Sequence, residues 1–129
     1  MSARDNKAEK LQQILEEFTL RTPEALVVVA ANDEGLSIAS VRRNATLRQE
    51  ESFAVAAARI LDMANEVNKQ LEQGEIGRIL IEGRFRTTIV VSAGRYVTLV
   101  VVIPAYAKLG LAMLSIRRAS QEIRLLYDG

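Results

Sequence analysis

The 129-residue chain contains no histidine and no cysteine. That double absence removes imidazole general bases, Cys and His nucleophiles, zinc clusters and disulfides. An excess of one charge is lacking as well. Seventeen Lys and Arg against sixteen Asp and Glu leave a net charge of +1, so no global field points to nucleic acid or an anionic membrane. Long apolar runs are also missing. The longest, Tyr96 to Ala107, is broken by Thr98 and Pro104, whereas a helix needs about 20 apolar residues to span a bilayer. The opening "MSARDNKAEKLQQ" is polar and has no apolar stretch of the signal-peptide kind. The expectation is a cytoplasmic protein with no membrane insertion and no nucleic-acid partner.

What is present is enough apolar sequence for one ordinary core, 49% of residues. There is no internal repeat, low-complexity tract or Pro/Gly/Ser linker. The expected organisation is a flexible terminus over 1–7 and one domain over 8–127.

Leu11, Ile14, Leu15 and Phe18 recur at helical spacing, and Pro23 discourages continuation, so a helix is predicted over Ala8 to Arg21. Leu26 to Ala30 is apolar without alternation, the pattern of a strand covered on both faces. Leu36 and Ile38 alternate with small and polar residues in a more exposed partner strand. Between the two lies Asn32-Asp33-Glu34-Gly35, composed of residues that tolerate left-handed backbone angles. A calcium loop would need further oxygen ligands, a closing Glu and flanking helices, and these are missing. The stretch therefore reads as a hairpin turn.

A loop with Arg42, Arg43 and Arg48 leads into a long helix predicted over Glu50 to Gln73. Its apolar residues spread over roughly 220° of its circumference, where a helix on one core needs a little over 100°. One flank is bulky: Phe53, Ile60, Met63, Val67 and Leu71, with Ala56. The next holds Ala54, Ala57, Ala58, Leu61 and Ala64, with Asn65 and Asn68 among them. Two buried surfaces are implied, the bulky flank facing the sheet and the small-residue flank facing a second helix. Three strands follow in quick succession, Ile76 to Glu82, Phe85 to Ser92 and Tyr96 to Ile103, as an antiparallel meander. The first should be an edge and the last central, beside Leu26 to Ala30. Leu109, Ala112, Ile116, Ala119 and Ile123 mark a final helix reaching about Tyr127.

This order, together with "EALVVVAANDEGLSIAS", "ESFAVAAARILDMANEVNKQL", "ILIEG", "YVTLVVVI" and "AKLGLAMLSIRRASQEI", resembles the Roadblock/LC7 family over Leu11 to Leu126. The resemblance implies an α+β fold of profilin-like topology α-β-β-α-β-β-β-α. In it a five-stranded antiparallel sheet carries the middle helix on one face and the two terminal helices on the other. It also implies a homodimer, formed by pairing the middle helices and the third strands, that serves as a non-catalytic platform or regulator for a small Ras-like GTPase. The expected dimer residues are Ala54, Ala57, Ala58, Leu61, Ala64, Asn65 and Asn68 on the helix and Ile76, Arg78 and Leu80 on the strand. Candidate partner contacts are Arg42, Arg43, Arg48, Arg84 and Arg86, arginine being suited to acidic surfaces. A structural adaptor without effect on nucleotide turnover, and a small-ligand sensor, are the alternatives.

No catalytic, cofactor-binding or metal-ligating residue is expected. The sequence has no G-x-x-x-x-G-K-[ST] phosphate loop and no G-x-S-x-G elbow. Its acid pairs Glu16-Glu17, Asp33-Glu34 and Glu50-Glu51 sit on a solvated face, a turn and a helix start. Equilibrium dialysis against labelled GTP, with a parallel Mg2+ or Ca2+ titration, is expected to show no saturable binding; micromolar binding of either would contradict this reading.

Overall fold

The computed structural model describes residues 3–43 and 50–128, with side chains placed over 6–43 and 52–128. The elements are α1 (Ala3–Arg21), β1 (Val27–Ala31), β2 (Ser37–Arg42), α2 (Glu50–Gln70), β3 (Ile79–Glu82), β4 (Arg86–Ser92), β5 (Thr98–Pro104) and α3 (Leu109–Tyr127). The order and types are those expected from the sequence. Three boundaries differ by three residues or more: α1 begins at Ala3, inside the segment expected to be a flexible terminus, α2 ends at Gln70 and not Gln73, and β3 is confined to Ile79–Glu82, without Ile76 to Arg78.

The strands form one antiparallel sheet in the order β2-β1-β5-β4-β3. The two strands with unbroken apolar sequence, β1 and β5, lie side by side and are buried along their whole length. Alternation sorts their side chains to two faces. Val28, Ala30, Leu99, Val101 and Ile103 meet Leu11, Leu15 and Phe18 of α1 and Ile116, Ala119 and Ile123 of α3 in the larger core. Val27, Val29, Ala31, Val100 and Val102 meet Ala54 and Ala57 of α2 in a smaller one. The sheet is thus sandwiched between α1 and α3 on one side and α2 on the other. Full burial of a side chain such as Phe18 or Ile123 contributes about 1.5–3 kcal/mol.

Local chemistry fixes the connections. In the β1–β2 turn the Asn32 side-chain oxygen accepts the backbone N–H groups of Glu34 (2.9 Å) and Leu36 (3.0 Å), while Gly35 N–H donates to the Asn32 carbonyl. Gly35 has φ +82, and a Cβ built on it would lie 3.2 Å from the Ala58 methyl and 3.4 Å from the Val55 Cα. The hairpin expectation holds, and the glycine serves twice: it supplies the left-handed backbone and lets α2 come close. At the other end of α2, Gln73 N–H bonds the Asn68 carbonyl and Glu72 N–H the Lys69 carbonyl. Glu72 sits at φ 53, where Gly is the usual residue of this helix stop.

Gly35→Val should lower stability by about 2 kcal/mol or more, through left-handed strain plus collision with α2. Thermal unfolding followed by circular dichroism measures it. Asp33→Ala, at an exposed turn position, should change the midpoint by no more than about 0.5 kcal/mol equivalent. Equal effects of the two would refute the account.

Candidate functional site

The position of α2 on the sheet corrects the flank assignment. Ala54 is 0% exposed and Ala57 3%, both seated against the protein's own β1, β5 and β4. Ala58, Leu61, Ala64 and Asn68, on the same flank, are half-buried, and Asn65 is exposed. Ala54 and Ala57 therefore have no surface left for a twin helix. The physical reason is distance: the α2 side of the sheet carries Val and Ala, and its turn carries Gly35, so the helix settles on its smallest side chains. The bulky flank is turned outward instead. Met63 is 70% exposed, Val67 51% and Leu71 62%, with Phe53 and Ile60 half-buried beside them and Ala56 exposed. Residues 53, 56, 60, 63 and 67 alternate steps of three and four and fall within about 80° of arc at 100° per residue, the seam by which one helix packs along another.

The two open edges of the sheet are unequal. At β2, the Gln12 side chain of α1 accepts from Ser40 N–H (3.3 Å) and donates to the Ser40 carbonyl (3.0 Å), so one amide occupies both outward backbone groups. At β3 nothing among the described residues is bonded to the outer edge of Ile79–Glu82. An unpaired edge is a template for another strand. Ile79 packs with the α2-side cluster, so Ile81, 42% exposed, lies on the same face as α2. Leu80 turns the other way, against the larger core, and Ile76 is half-buried before the strand begins.

The arginines expected to contact a partner do not converge. Arg43 donates to the Pro23 and Thr19 carbonyls and ties the end of β2 to the end of α1. It is a tether, not a free arm. Arg42 is exposed on β2, Arg84 lies 5.4 Å from the Phe85 ring centroid, and Arg86 is exposed at the start of β4. Arg42 and Arg86 share one end of the sheet but stand three strands apart, about 14 Å. Arg48 lies outside the described residues. Among the described residues there is no group of three or more Asp and Glu placed to hold a metal, and no helix long and apolar enough to cross a membrane. The one phenol that burial pushes above its ordinary pKa, Tyr127, lies against α1 with the Lys7 ammonium 5.5 Å from its ring, a packing contact.

An apolar helix seam thus lies beside an unpaired strand edge, and comparisons with known proteins find the fold that carries them elsewhere. The sequence model of the Roadblock/LC7 domain matches residues 11–103. The chain belongs to the Roadblock/LC7 family. Among solved structures it superposes on MglB from Myxococcus xanthus with TM-score 0.86 at 23% identity, covering 94% of this chain and 90% of that one. The gliding protein MglB from Thermus thermophilus gives 0.85 at 21%, covering 99% and 93%. A Roadblock/LC7 domain from Streptomyces avermitilis gives 0.83 at 13%, covering 92% and 98%. Comparison with curated protein sequences finds no match. At these identities the structures establish the fold, including its three-layer arrangement.

The Roadblock/LC7 chain's α2 contact can be tested directly. Ala57→Leu should cost about 1–3 kcal/mol by overpacking, whereas Glu66→Ala on the polar side should stay within about 0.5 kcal/mol. Urea unfolding reads both. An unchanged midpoint for Ala57→Leu would mean that this flank does not face the sheet.

Proposed function

We propose that this Roadblock/LC7 protein is a homodimer that binds a small Ras-like GTPase and regulates or positions it. The observation that carries the dimer is the outward seam of α2 lying on the same side of the sheet as the exposed Ile81 of the unpaired β3. Pairing β3 with its twin would satisfy that edge, and pairing α2 with its twin would bury Phe53, Ile60, Met63 and Val67 twice over. Burial of such side chains is favourable by about 1.5–3 kcal/mol each, and a two-fold axis doubles every contact. Gln12 supports the same choice of edge, because it occupies β2 and leaves β3 open.

The dimer surface proposed here keeps α2 and β3 from the sequence expectation but exchanges Ala54 and Ala57 for Phe53, Ala56, Ile60, Met63 and Val67. The regulatory, non-catalytic character of the Roadblock/LC7 domain and the likeness to MglB support the GTPase reading. In that reading the protein performs no chemistry. It holds the GTPase through complementary surface, with the exposed Arg84 and Arg86 near the β3 edge to steer an acidic partner. A structural adaptor would have the same dimer and no effect on nucleotide turnover.

Met63→Glu should give monomers by light scattering with helix content retained, because a charge in a two-fold seam is desolvated twice. Leu61→Glu, half-buried on the flank of α2 that carries Ala54 and Ala57, should loosen the fold instead. The Ras-like GTPase that co-purifies from native cells should be lost with Met63→Glu. Its GTP hydrolysis or exchange rate should change when the wild-type dimer is added. A dimer that persists in Met63→Glu at micromolar concentration sinks the interface. An unchanged GTPase rate leaves the adaptor reading in its place.

A further inference from the structure

On the face of the sheet away from α2, the segment leading into β3 passes α3 across the end of β4. Between them is an open cleft of about 460 Å³. Its floor is apolar, formed by Val91, Met113 and Ile116, all part of the larger core. Its rim carries three guanidinium groups, Arg78 from the strand side and Arg117 and Arg124 from α3, and no carboxylate lines it. Arg78 and Arg117 have no hydrogen-bond or ion-pair partner among the described residues. Arg124 gives one Nη donor to the Ser92 carbonyl at 3.0 Å. Ser120, on the same wall, is 7% exposed, and its hydroxyl has no hydrogen-bond partner.

Unpaired cations, an unpaired buried hydroxyl and an apolar floor together call for an occupant with anionic oxygens and an apolar side chain. The spacing selects among anions. Arg117 and Arg124 are seven residues apart on one helix, about 10 Å along its axis, and Arg78 stands across from them. Three guanidinium groups set out along that length suit several anionic groups in a row, which an extended chain with several carboxylates supplies. We propose that this cleft binds an acidic peptide segment of a partner protein, its carboxylates on the three arginines and one apolar side chain on the Val91, Met113 and Ile116 floor. The site is formed by one chain alone and faces away from the α2 seam, so it is a second interaction surface beyond the GTPase platform.

The test titrates full-length protein into a fluorescein-labelled Glu-Asp-Leu-Asp-Glu peptide and reads anisotropy. Two variants block the cleft by different means. Arg117→Glu reverses an exposed, unpartnered charge. Gly77→Leu fills the mouth, where an added Cβ meets nothing within 4 Å and the backbone is not left-handed. Both should keep wild-type melting and association state. Saturable, salt-sensitive binding is expected, weakened at least tenfold by each variant and absent for a Lys-Lys-Leu-Lys-Lys control. Absence of saturable binding overturns the proposal. So does a response confined to Arg117→Glu, which means general charge steering, or to Gly77→Leu, which means a neutral contact. Displacement of the peptide by inorganic phosphate at comparable affinity also overturns it, as that marks a free-oxyanion site.

Discussion

The contact on which the rest of the molecule depends is the close seating of α2 on the sheet, where Ala54, Ala57 and Ala58 meet Val and Ala side chains and the bare backbone of Gly35. Small residues on both sides leave little volume between helix and sheet. The smaller core is accordingly thin, and it gains its stability from proximity and not from bulk. One consequence reaches the far side of the helix. With alanine inward, Phe53, Ile60, Met63 and Val67 are left to the outer side, and a seam that would be a liability on a monomer is the means of assembly in the proposed dimer. Fold stability and the proposed association are therefore written on the two sides of a single helix.

The sheet edges complete that division. A five-stranded open sheet has two edges and each invites a foreign strand. At β2 the amide of Gln12 imitates a neighbouring strand at Ser40, donating and accepting where a backbone would. Among the described residues no such group stands at β3. In the proposed dimer the asymmetry directs association to one edge, the one on which Ile81 is exposed on the α2 side, so that strand pairing and helix pairing would reinforce each other. Arg43, bonded to the Thr19 and Pro23 carbonyls, holds the β2 end against α1 and helps keep the guarded edge in place.

Much of this was legible in the sequence. The order of helices and strands follows from periods of two and 3.6 and from the placement of Pro and Gly, and the central position of β1 and β5 from their unbroken apolar runs. The turn at Asn32 to Gly35 was legible because few residues adopt a left-handed φ. The angular breadth of α2 was legible too, but breadth does not say which flank meets which surface. That depends on the depth of the opposing sheet, set by Val29, Val100 and Gly35, which are far from α2 in sequence. The three-four spacing of residues 53 to 67 was the available signal for the outer seam. The role of Gln12 and the tether at Arg43 were hidden because each is a long-range side-chain bond to backbone, which leaves no period. The α3 cleft was hidden for the same reason, Arg78 and Arg117 being brought together only by the meander and the final helix.

The strand β3 and its lead-in link the two surfaces. Alternation sends Ile79 and Ile81 to the α2 side and Leu80 to the α1–α3 side, while the residues just before the strand, Gly77 and Arg78, border the cleft. A strand of four residues thus touches both faces of the sheet at its open edge. Pairing of that edge with a twin would fix the conformation of Ile79–Glu82 and, through it, the approach of Arg78 toward Arg117. The two surfaces therefore meet at one backbone segment without sharing side chains, Gly77 and Arg78 bordering the cleft while Ile79 and Ile81 face the α2 side.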